Sequence, residues 1–370
     1  MKAKAAVMWG PGEPFSVEEI ELDPPQEQEV LVRIEAAGLC HSDDHARTGD
    51  APANFPVIGG HEGSGVIEQV GPGVLHHKVG DHVVFSFTPV CGRCHWCSTG
   101  RQNLCDFGAL IGTGQMISGG VRTHARGRDL GPAALLGTFS SHVVVNEANC
   151  VKLDEDIPFD VACLLGCGVP TGWGSAVRVG QVQPGETVVV VGIGGIGANA
   201  LQGARLAGAK NVVAVDPVSI KHDKAKTFGA THTASSFEEA RELVSDITRG
   251  VMADVAILTV GVVRGTMMEP FLDLVSKGGR AVLTGVAPFH DHDAKIPLQM
   301  FAMYEKQLRG TVFGGCNPRA DIPLLASLYR NGQLQLDELI TTRYALEDIN
   351  LGYQDMLAGK NIRGIVVRDA

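Results

Sequence analysis

The feature that most constrains the fold is a glycine run of the form Gly-x-Gly-x-x-Gly, set between a strand pattern and a helix pattern. The strand pattern Thr187–Val191 precedes it, and the helical pattern Ala198–Ala207 follows it. In such a run the first glycine makes a tight turn and the second lets a pyrophosphate approach the backbone, while the helix N-terminus supplies free N–H groups. The run therefore predicts a dinucleotide site formed by Gly192, Gly194, Gly195, Ile196 and Gly197.

An acidic residue, Asp216, ends the next strand pattern, Asn211–Asp216. At this place a carboxylate accepts hydrogen bonds from the adenosine ribose hydroxyls. Because its charge would repel a 2′-phosphate, the sequence predicts NAD rather than NADP. The alternative is a glycine-rich packing turn followed by a surface aspartate, which would bind no nucleotide.

Strand and helix patterns alternate through this region. Helical patterns cover Lys221–Phe228, Ser236–Thr248 and Thr266–Val275, and strand patterns cover Ala253–Thr259 and Arg280–Leu283. Such alternation predicts a parallel sheet covered on both faces. Earlier in the chain, residues Lys4–Val84 instead show short strand patterns, such as Val30–Ala37 and Val66–Val70, separated by Gly, Pro and Asp. This part predicts a β-rich domain.

We therefore expect an α/β chain of two domains, because a single core stops growing at about 250–300 residues and the chain has 370. The expected limits are 1–168 together with 313–370 for the β-rich domain, and 169–312 for the doubly wound parallel-sheet domain. The C-terminal part returns to the first domain because the alternation ends near Phe313. Gly108–Gly137 resembles a long loop with few strand signals.

The composition excludes several classes of function. A formal net charge of −10 disfavours binding to nucleic acid or to anionic membranes. The most apolar run, Val188–Ala198, is far shorter than the roughly 20 residues that span a bilayer. The nine cysteines are odd in number and partly clustered, which favours reduced thiols over a disulfide framework. We expect a cytoplasmic protein with a small-molecule partner, no nucleic acid and no membrane.

Four of the cysteines form a cluster: Cys91, Cys94, Cys97 and Cys105. Two-residue gaps let successive thiolates point into one tetrahedral site, and four thiolates leave no position for a substrate. The cluster predicts a structural zinc ion. An iron–sulfur cluster is the competing metal group, but the bacterial ferredoxin run needs a three-residue last gap and a following proline, whereas Asp106 follows here.

A catalytic zinc ion needs three protein ligands and one open position, and such ligands come from separate segments. Cys40, His61 and Cys167 each lie in a Gly-containing segment, but a lone Cys or His is more often a packing residue. Together with Gly60-His61-Glu62, Gly65, Gly71 and Val74, and with the cysteine cluster, they make the chain resemble the zinc-dependent medium-chain alcohol dehydrogenases over nearly its whole length. The resemblance implies a GroES-like β-rich catalytic domain and a Rossmann domain.

Several further roles are implied only by this resemblance. Cys40, His61 and Cys167 would be the catalytic zinc ligands, with Glu62 close to the metal and Asp43 orienting His61. Ser42 and His45 would form a proton relay. Other positions match contacts with the cofactor (Lys221 with the ribose, His41 and Arg363 with the pyrophosphate, and Thr171) or with the substrate pocket (Phe87, Leu136 and Val286). His41 departs from the family, which often has arginine there. Cys150, Cys163 and Cys316 match no ligand position and are assigned to packing.

The implied cofactors are two zinc ions, one catalytic and one structural, and NAD. The implied activity is that of an oxidoreductase that transfers hydride between a zinc-bound primary alcohol, or its aldehyde, and NAD. Within the family, Leu135–Ser140 and Gly314–Pro318 look most like the nitrosoaniline-dependent branch, which holds NAD tightly and passes electrons to an external redox carrier. The loop Gly108–Gly137 resembles that of dimeric members, so a homodimer is expected.

Two alternatives stay open at this point. A glutathione-dependent formaldehyde dehydrogenase is disfavoured because Asp106–Gln115 contains no basic residue to meet the glutathione carboxylate. A non-catalytic zinc-binding module would have no use for Asp216 or for the glycine run.

Overall fold

The computed structural model describes residues 1–368. These residues form two compact units. The first contains Met1–Cys167, Asn317–Asn331 and the chain from Leu336 onward, and the second contains Gly168–Cys316 and Gly332–Gln335. The domain limits expected from the sequence stay a prediction.

The strands, in chain order, are β1 (Lys2–Met8), β2 (Ser16–Leu22), β3 (Glu29–Gly38), β4 (Val57–Ile58), β5 (Gly63–Val70), β6 (His82–Phe85), β7 (Thr123–Ala125), β8 (Arg128–Pro132), β9 (His142–Asn146), β10 (Cys150–Lys152), β11 (Thr187–Val191), β12 (Asn211–Val215), β13 (His232–Ala234), β14 (Ala253–Leu258), β15 (Val275–Leu283), β16 (Gln307–Gly310), β17 (Ile340–Tyr344) and β18 (Arg363–Val367).

The α-helices are α1 (His41–Thr48), α2 (His95–Ser98), α3 (Phe159–Ala162), α4 (Gly168–Gly174), α5 (Gly195–Leu206), α6 (Ile220–Thr227), α7 (Phe237–Ile247), α8 (Met268–Asp273), α9 (Leu298–Met303), α10 (Pro318–Arg330) and α11 (Ile349–Leu357). None of the helices of residues 1–368 has the length and apolar character needed to cross a membrane.

The second unit is built on a parallel sheet with the strand order β13-β12-β11-β14-β15-β16. Every residue of β11 is buried, which suits its run of valines, since β-branched side chains pack well on a pleated surface. The chain runs outward from β11 through β12 to β13 and then crosses back to β14. Ligands bind at such a reversal of strand order, beyond the carboxyl ends of the strands, and here that place is the turn between β11 and α5.

The first unit contains a closed barrel, β1-β2-β7-β8-β4, and a seven-stranded sheet, β10-β6-β5-β3-β18-β17, in which β9 also pairs with β3. The long strand β3 pairs with β5, β9 and β18, all antiparallel. Its inward side chains Val30, Val32 and Ile34 join a core that also contains Phe85, Phe139 and Tyr353. The C-terminal strand β18 thus lies beside the end of β3, directly before Cys40.

Two features differ from the sequence-based expectation. The stretch Gly108–Gly137 is not a plain loop, because β7 and β8 form a hairpin inside it. Its two turn residues, Arg126 and Gly127, both have positive φ, as a tight hairpin turn requires, but Arg-Gly is not the usual sequence of such a turn. In addition, β15 begins at Val275, five residues before the expected Arg280, since a register shift accommodates Gly278 and Gly279.

Candidate active site

The first unit brings Cys40, His61, Glu62 and Cys167 together. All four are buried, and their potential ligand atoms lie within 4.8 Å of one another. Cys40 lies between β3 and α1, His61 follows β4, and Cys167 precedes α4. These residues are distant in sequence, so only the fold of the first unit creates the cluster.

Asp43 lies against the His61 ring. Its Oδ2 lies 3.0 Å from His61 Nδ1, and its Oδ1 accepts a hydrogen bond from the backbone N–H of Gly60 at 2.9 Å. With Nδ1 engaged in this way, the other ring nitrogen is left for a metal ion, which is the usual arrangement of a ligating histidine. The contact is the one that the resemblance implied for Asp43.

The thiols of Cys40 and Cys167 influence each other's ionisation. A hydrogen bond from Cys167 lowers the pKa of Cys40 well below its usual value, and the same bond raises the pKa of Cys167. Burial opposes the charged form of His61, but Asp43 and Cys40 together raise the pKa of that ring. A buried group of two sulfur donors and one imidazole fits Zn²⁺, which takes Cys sulfur and His nitrogen in tetrahedral sites.

A buried ion pair lies beside this cluster. Arg363, on β18, donates from Nη2 to Glu62 Oε2. Gly38 leaves room for the pair, since a Cβ there would lie 2.2 Å from Glu62 Oε2 and 2.8 Å from Arg363 Nη2. Burial raises the pKa of Glu62 to about 7, against the attraction of Arg363. Glu62 Oε1 and Arg363 Nε have no hydrogen-bond partner among residues 1–368. Arg363, which is predicted to contact the pyrophosphate, is therefore buried and already paired with Glu62.

The four clustered cysteines also meet, as a second group with ligand atoms within 4.8 Å of one another. Backbone N–H groups point at the sulfur atoms, from Cys91 to Cys105 Sγ at 3.4 Å, from Cys94 to Cys91 Sγ at 3.3 Å and from Cys97 to Cys94 Sγ at 3.5 Å. Burial opposes ionisation of Cys94, but backbone N–H groups lower its pKa to about 6. Four thiols held in this way fit a closed structural zinc site.

This cysteine lobe is anchored to α10. Asn317 accepts through Oδ1 from the N–H of Gln102 at 2.8 Å, and Arg319 donates from Nη2 to the carbonyl of Val90 at 3.1 Å. The lobe therefore depends on residues more than 200 positions later in the chain, which sequence spacing does not reveal.

The residues of the expected proton relay lie on α1. Ser42 Oγ is 3.7 Å from Cys40 Sγ. His45 is buried, and its Nδ1 lies 3.3 Å from Asp50 Oδ2. Thr48 Oγ1 also donates to Asp50, at 3.1 Å. Sequence reasoning missed Asp50, although an acidic residue directly after the helix that carries the histidine is a signal that could have found it. His41 begins α1 and is half-buried, with its ring centroid 6.0 Å from that of His45.

A cavity of about 200 Å³ opens beside Ser42 and His61. Most of its walls are small or apolar: Met8, Ala46, Ala51, Val57, Phe87, Ile111, Gly112, Ala133 and Ala134. Phe87 lies edge-on to the His61 ring, with the centroids 5.7 Å apart. The expected pocket residue Leu136 is wrong for this cavity, because its side chain packs into the core of the first unit instead. Val286 belongs to the second unit and is exposed.

The glycine run of the second unit forms the turn before α5 and leaves open space at Gly194. Gly192 has φ +94°, and a Cβ there would lie 2.8 Å from Val260 N. A Cβ on Gly197 would lie 2.0 Å from the Gly192 carbonyl oxygen, so this glycine permits the close approach of helix and strand. Among residues 1–368, by contrast, a Cβ on Gly194 would meet nothing within 4 Å, and no side chain caps α5. Open space before uncapped N–H groups fits a bound pyrophosphate.

Asp216 lies directly after β12, close to the turn that follows β11. Its Oδ2 accepts from the N–H of Ile193 at 2.8 Å and lies 3.1 Å from Lys221 Nζ, while Oδ1 accepts from the N–H of Val218 at 2.9 Å. The carboxylate thus joins the glycine run to the start of α6. Thr171, on α4, has a buried hydroxyl without a hydrogen-bond partner among the described residues, which leaves it free for a ligand.

Comparison with known proteins agrees with this geometry. Residues 26–155 match the alcohol dehydrogenase GroES-like domain, and residues 195–331 match the zinc-binding dehydrogenase family. The chain is 50% identical to an NDMA-dependent alcohol dehydrogenase of Amycolatopsis methanolica, with 100% of both chains covered. It is also 50% identical to alcohol dehydrogenase B of Mycobacterium tuberculosis, over 99% of this chain and 98% of that one.

Among solved structures, benzyl alcohol dehydrogenase from Acinetobacter calcoaceticus superposes with a TM-score of 0.90 at 30% identity, with 99% of each chain covered. These matches confirm the expected fold class, a GroES-like domain with a Rossmann domain, and the resemblance to the nitrosoaniline-dependent branch. The chain therefore belongs to the zinc-dependent medium-chain alcohol dehydrogenase family.

Proposed function

We propose that the protein is an NAD-dependent alcohol dehydrogenase that interconverts a primary alcohol and its aldehyde. The observation that carries the proposal is the buried group of Cys40, His61 and Cys167 beside an apolar cavity that Ser42 also lines. The matches to alcohol dehydrogenases over the full chain support it. A glutathione-dependent enzyme and a non-catalytic zinc module are less supported.

We assign two zinc sites. Cys40, His61 and Cys167 would hold a catalytic ion, and Cys91, Cys94, Cys97 and Cys105 a structural one. A zinc ion at the first site would act as a Lewis acid and make the hydroxyl proton of an alcohol easier to remove. The second site offers four thiols and leaves no place for a substrate.

The chain's own groups would position the alcohol and move its proton. The small side chains of the cavity admit the carbon skeleton and exclude water, while Phe87 limits its width beside His61. Ser42 would accept a hydrogen bond from the substrate hydroxyl. His45 would pass the proton outward through its two ring nitrogens, and the Asp50 carboxylate would keep its ring in place.

NAD supplies the hydride acceptor. We assign its binding to Gly192, Gly194, Gly195, Ile196 and Gly197, with Asp216 and Lys221 at the adenosine ribose, and we retain His41, Arg363 and Thr171 as proposed contacts. The uncapped N-terminus of α5 and the open space at Gly194 support the assignment. The 50% identity to an NDMA-dependent enzyme supports a tightly held NAD that is reoxidised by an external redox carrier.

We also propose a homodimer in a reducing compartment such as the cytoplasm. Strand β16 is an edge of the second unit's sheet, and Leu298 and Met303 of the preceding helix α9 are 74% and 73% exposed. An open strand edge beside exposed apolar side chains suits pairing with a second copy. No cysteine among residues 1–368 forms a disulfide bond, which supports the compartment. Light scattering on the purified protein should give twice the 39.0 kDa chain mass, and a monomer at every concentration would contradict the dimer.

The central test combines metal content with one substitution. Elemental analysis should find two zinc ions per chain, and Cys40→Ser should lose one of them together with alcohol turnover. The matched control is Cys316→Ser, because Cys316 belongs to neither metal cluster of the described residues and its thiol donates to the Pro170 carbonyl, a bond that serine can keep. Full turnover in Cys40→Ser, or iron in place of zinc, would refute the assignment.

A further inference from the structure

We propose that Tyr353 is a positioning residue of the catalytic metal centre, whose hydroxyl holds Asp43 and the Cys40 backbone in the geometry that the metal requires. The proposal rests on the metal assignment in the proposed function. Tyr353 lies on α11, more than 300 residues from Cys40 in sequence. It contributes no ligand atom, so it would act through the residues that do.

The hydroxyl of Tyr353 faces the Cys40 backbone and the Asp43 side chain. It donates to the Cys40 carbonyl at 3.4 Å, and burial raises its pKa together with the Asp43 carboxylate, which lies near the same hydroxyl. A phenol keeps its proton near neutral pH, so it is a stable donor to a carboxylate. Tyr353 is only 4% exposed, and water therefore cannot readily take over this bond.

Asp43 is the residue through which the hydroxyl would act. One carboxylate oxygen already accepts from Gly60 N–H, and the other lies against His61 Nδ1. A carboxylate can accept several hydrogen bonds, so a phenol that approaches it from a different element would restrict the rotation of its plane. A fixed carboxylate plane fixes the His61 ring, because the ring nitrogen follows the oxygen that it contacts.

The tyrosine is itself held rigidly. Its ring stacks on Phe15, with the centroids 5.2 Å apart, and lies edge-on to Phe139 at 6.2 Å. Asn350, one helical turn earlier on α11, binds both the N–H and the carbonyl of Phe15, at 3.0 Å and 2.9 Å. Helix α11 therefore contacts Phe15 through both Asn350 and the Tyr353 ring. This packing gives the Tyr353 hydroxyl a defined position.

The experiment compares Tyr353→Phe with Tyr344→Phe. The first substitution keeps the ring packing and removes only the hydroxyl. The second is a matched control, because Tyr344 is also buried and makes two hydrogen bonds, with Asp355 and Asn361, that do not involve the metal cluster. The readout is the rate at which a chelator removes each of the two zinc ions from the holoenzyme, so the four-cysteine site serves as an internal reference.

Tyr353→Phe should release the catalytic zinc about 10- to 100-fold faster, the usual effect of losing an outer hydrogen bond to a metal ligand. Release from the four-cysteine site should not change, and Tyr344→Phe should leave the ratio of the two rates as in wild type. In a cobalt-substituted protein, only Tyr353→Phe should shift the visible absorption of the catalytic ion. Wild-type release kinetics in Tyr353→Phe would overturn the proposal.

A second measurement separates positioning from general destabilisation. In an Asp43→Asn background, removing the Tyr353 hydroxyl should speed zinc release by less than about two-fold, because coupled residues are not additive. Fully additive effects would show that Tyr353 does not act through Asp43. If wild type binds two zinc ions but oxidises no alcohol, the proposed function fails, while the release experiment still decides the role of Tyr353.

Discussion

Asp216 shows how one residue can serve both the fold and a ligand. Its carboxylate already joins Ile193 N–H to Val218 N–H, so it helps to shape the glycine run as well as carrying the charge proposed to meet the ribose. Both tasks need an acceptor at the carboxyl end of β12. The consequence is that a substitution here should weaken nucleotide binding and also leave the N–H groups of Ile193 and Val218 without their acceptor.

Asp216→Gly should weaken NAD binding by about one to two orders of magnitude, because charge-assisted hydrogen bonds contribute about 1.5–3 kcal/mol. NADP should lose less or gain, since the repulsion of its 2′-phosphate disappears and Lys221 becomes available to it. The measurement is equilibrium binding of both nucleotides to nucleotide-free protein at one ionic strength. Asp223→Asn is the control, as that side chain is 88% exposed. An unchanged NAD to NADP preference would count against the assignment.

His45→Gln should lower alcohol turnover about 100-fold near neutral pH, which is at the low end of the range for a general acid–base group. The deficit should shrink as the pH rises, because hydroxide can then remove the proton directly. A pH profile of kcat/KM for wild type and variant measures this. His290→Gln, on an exposed loop, should match wild type, and a pH-independent deficit would contradict the relay.

For individual residues, the sequence predicted the candidate zinc ligands better than the residues that hold the site in place. The four-cysteine site follows from spacing alone, whereas Cys40, His61 and Cys167 are too far apart for spacing to join them and depended on family resemblance. Tyr353 had no local signal, because its role becomes visible only when α11 brings it close to Cys40 and Asp43. Asp50 had only one, its place directly after the helix that carries His45. Leu136 was misplaced because an apolar residue suits a core and a pocket equally well.

At the level of elements, the glycines of the β11–α5 turn have two different roles. Gly192 and Gly197 are required by the fold, whereas Gly194 is proposed to make room for a ligand. Gly194→Ala should change the free energy of unfolding by no more than about 0.5 kcal/mol, since its Cβ meets open space. It should nevertheless weaken NAD binding about ten-fold or more, because the methyl group occupies the proposed pyrophosphate position.

Gly197→Ala provides the opposite case on the same turn. Its Cβ would lie 2.0 Å from the Gly192 carbonyl oxygen, so the variant should lose about 1–3 kcal/mol of stability. Thermal unfolding and NAD titration of both variants measure the two effects. A destabilised Gly194→Ala with normal NAD binding would show that this glycine serves the fold rather than the nucleotide.

Element types in the second unit were predicted well because apolar strands and amphipathic helices alternate there with clear periods. The predicted strand Asn211–Asp216 and helix Ser236–Thr248 correspond to β12 and α7 within one residue at each end. Ser236 is the N-cap of α7, and its hydroxyl accepts a hydrogen bond from Glu239 N–H. The hairpin of β7 and β8 was missed because short strands with an Arg-Gly turn carry little periodicity.

For the molecule as a whole, we expect NAD to remain bound through purification. Protein denatured after gel filtration should release close to one NAD per chain, and added NAD should support only slow turnover, whereas a nitroso acceptor should support fast turnover. Absorbance and chromatography of the released nucleotide give the measurement. Fast steady-state formation of free NADH from alcohol and NAD would place the protein with the freely exchanging enzymes.

The pairing of β18 with the end of β3 has a consequence for biosynthesis. During synthesis, every residue of the second unit leaves the ribosome before β18 does. The second unit can therefore fold while the first unit still lacks its last strand. Until then Glu62 lacks the guanidinium of Arg363 that balances its buried charge, and Asp43 lacks the phenol of α11. We therefore expect the metal-binding pocket to reach its final geometry only after β18 has left the ribosome.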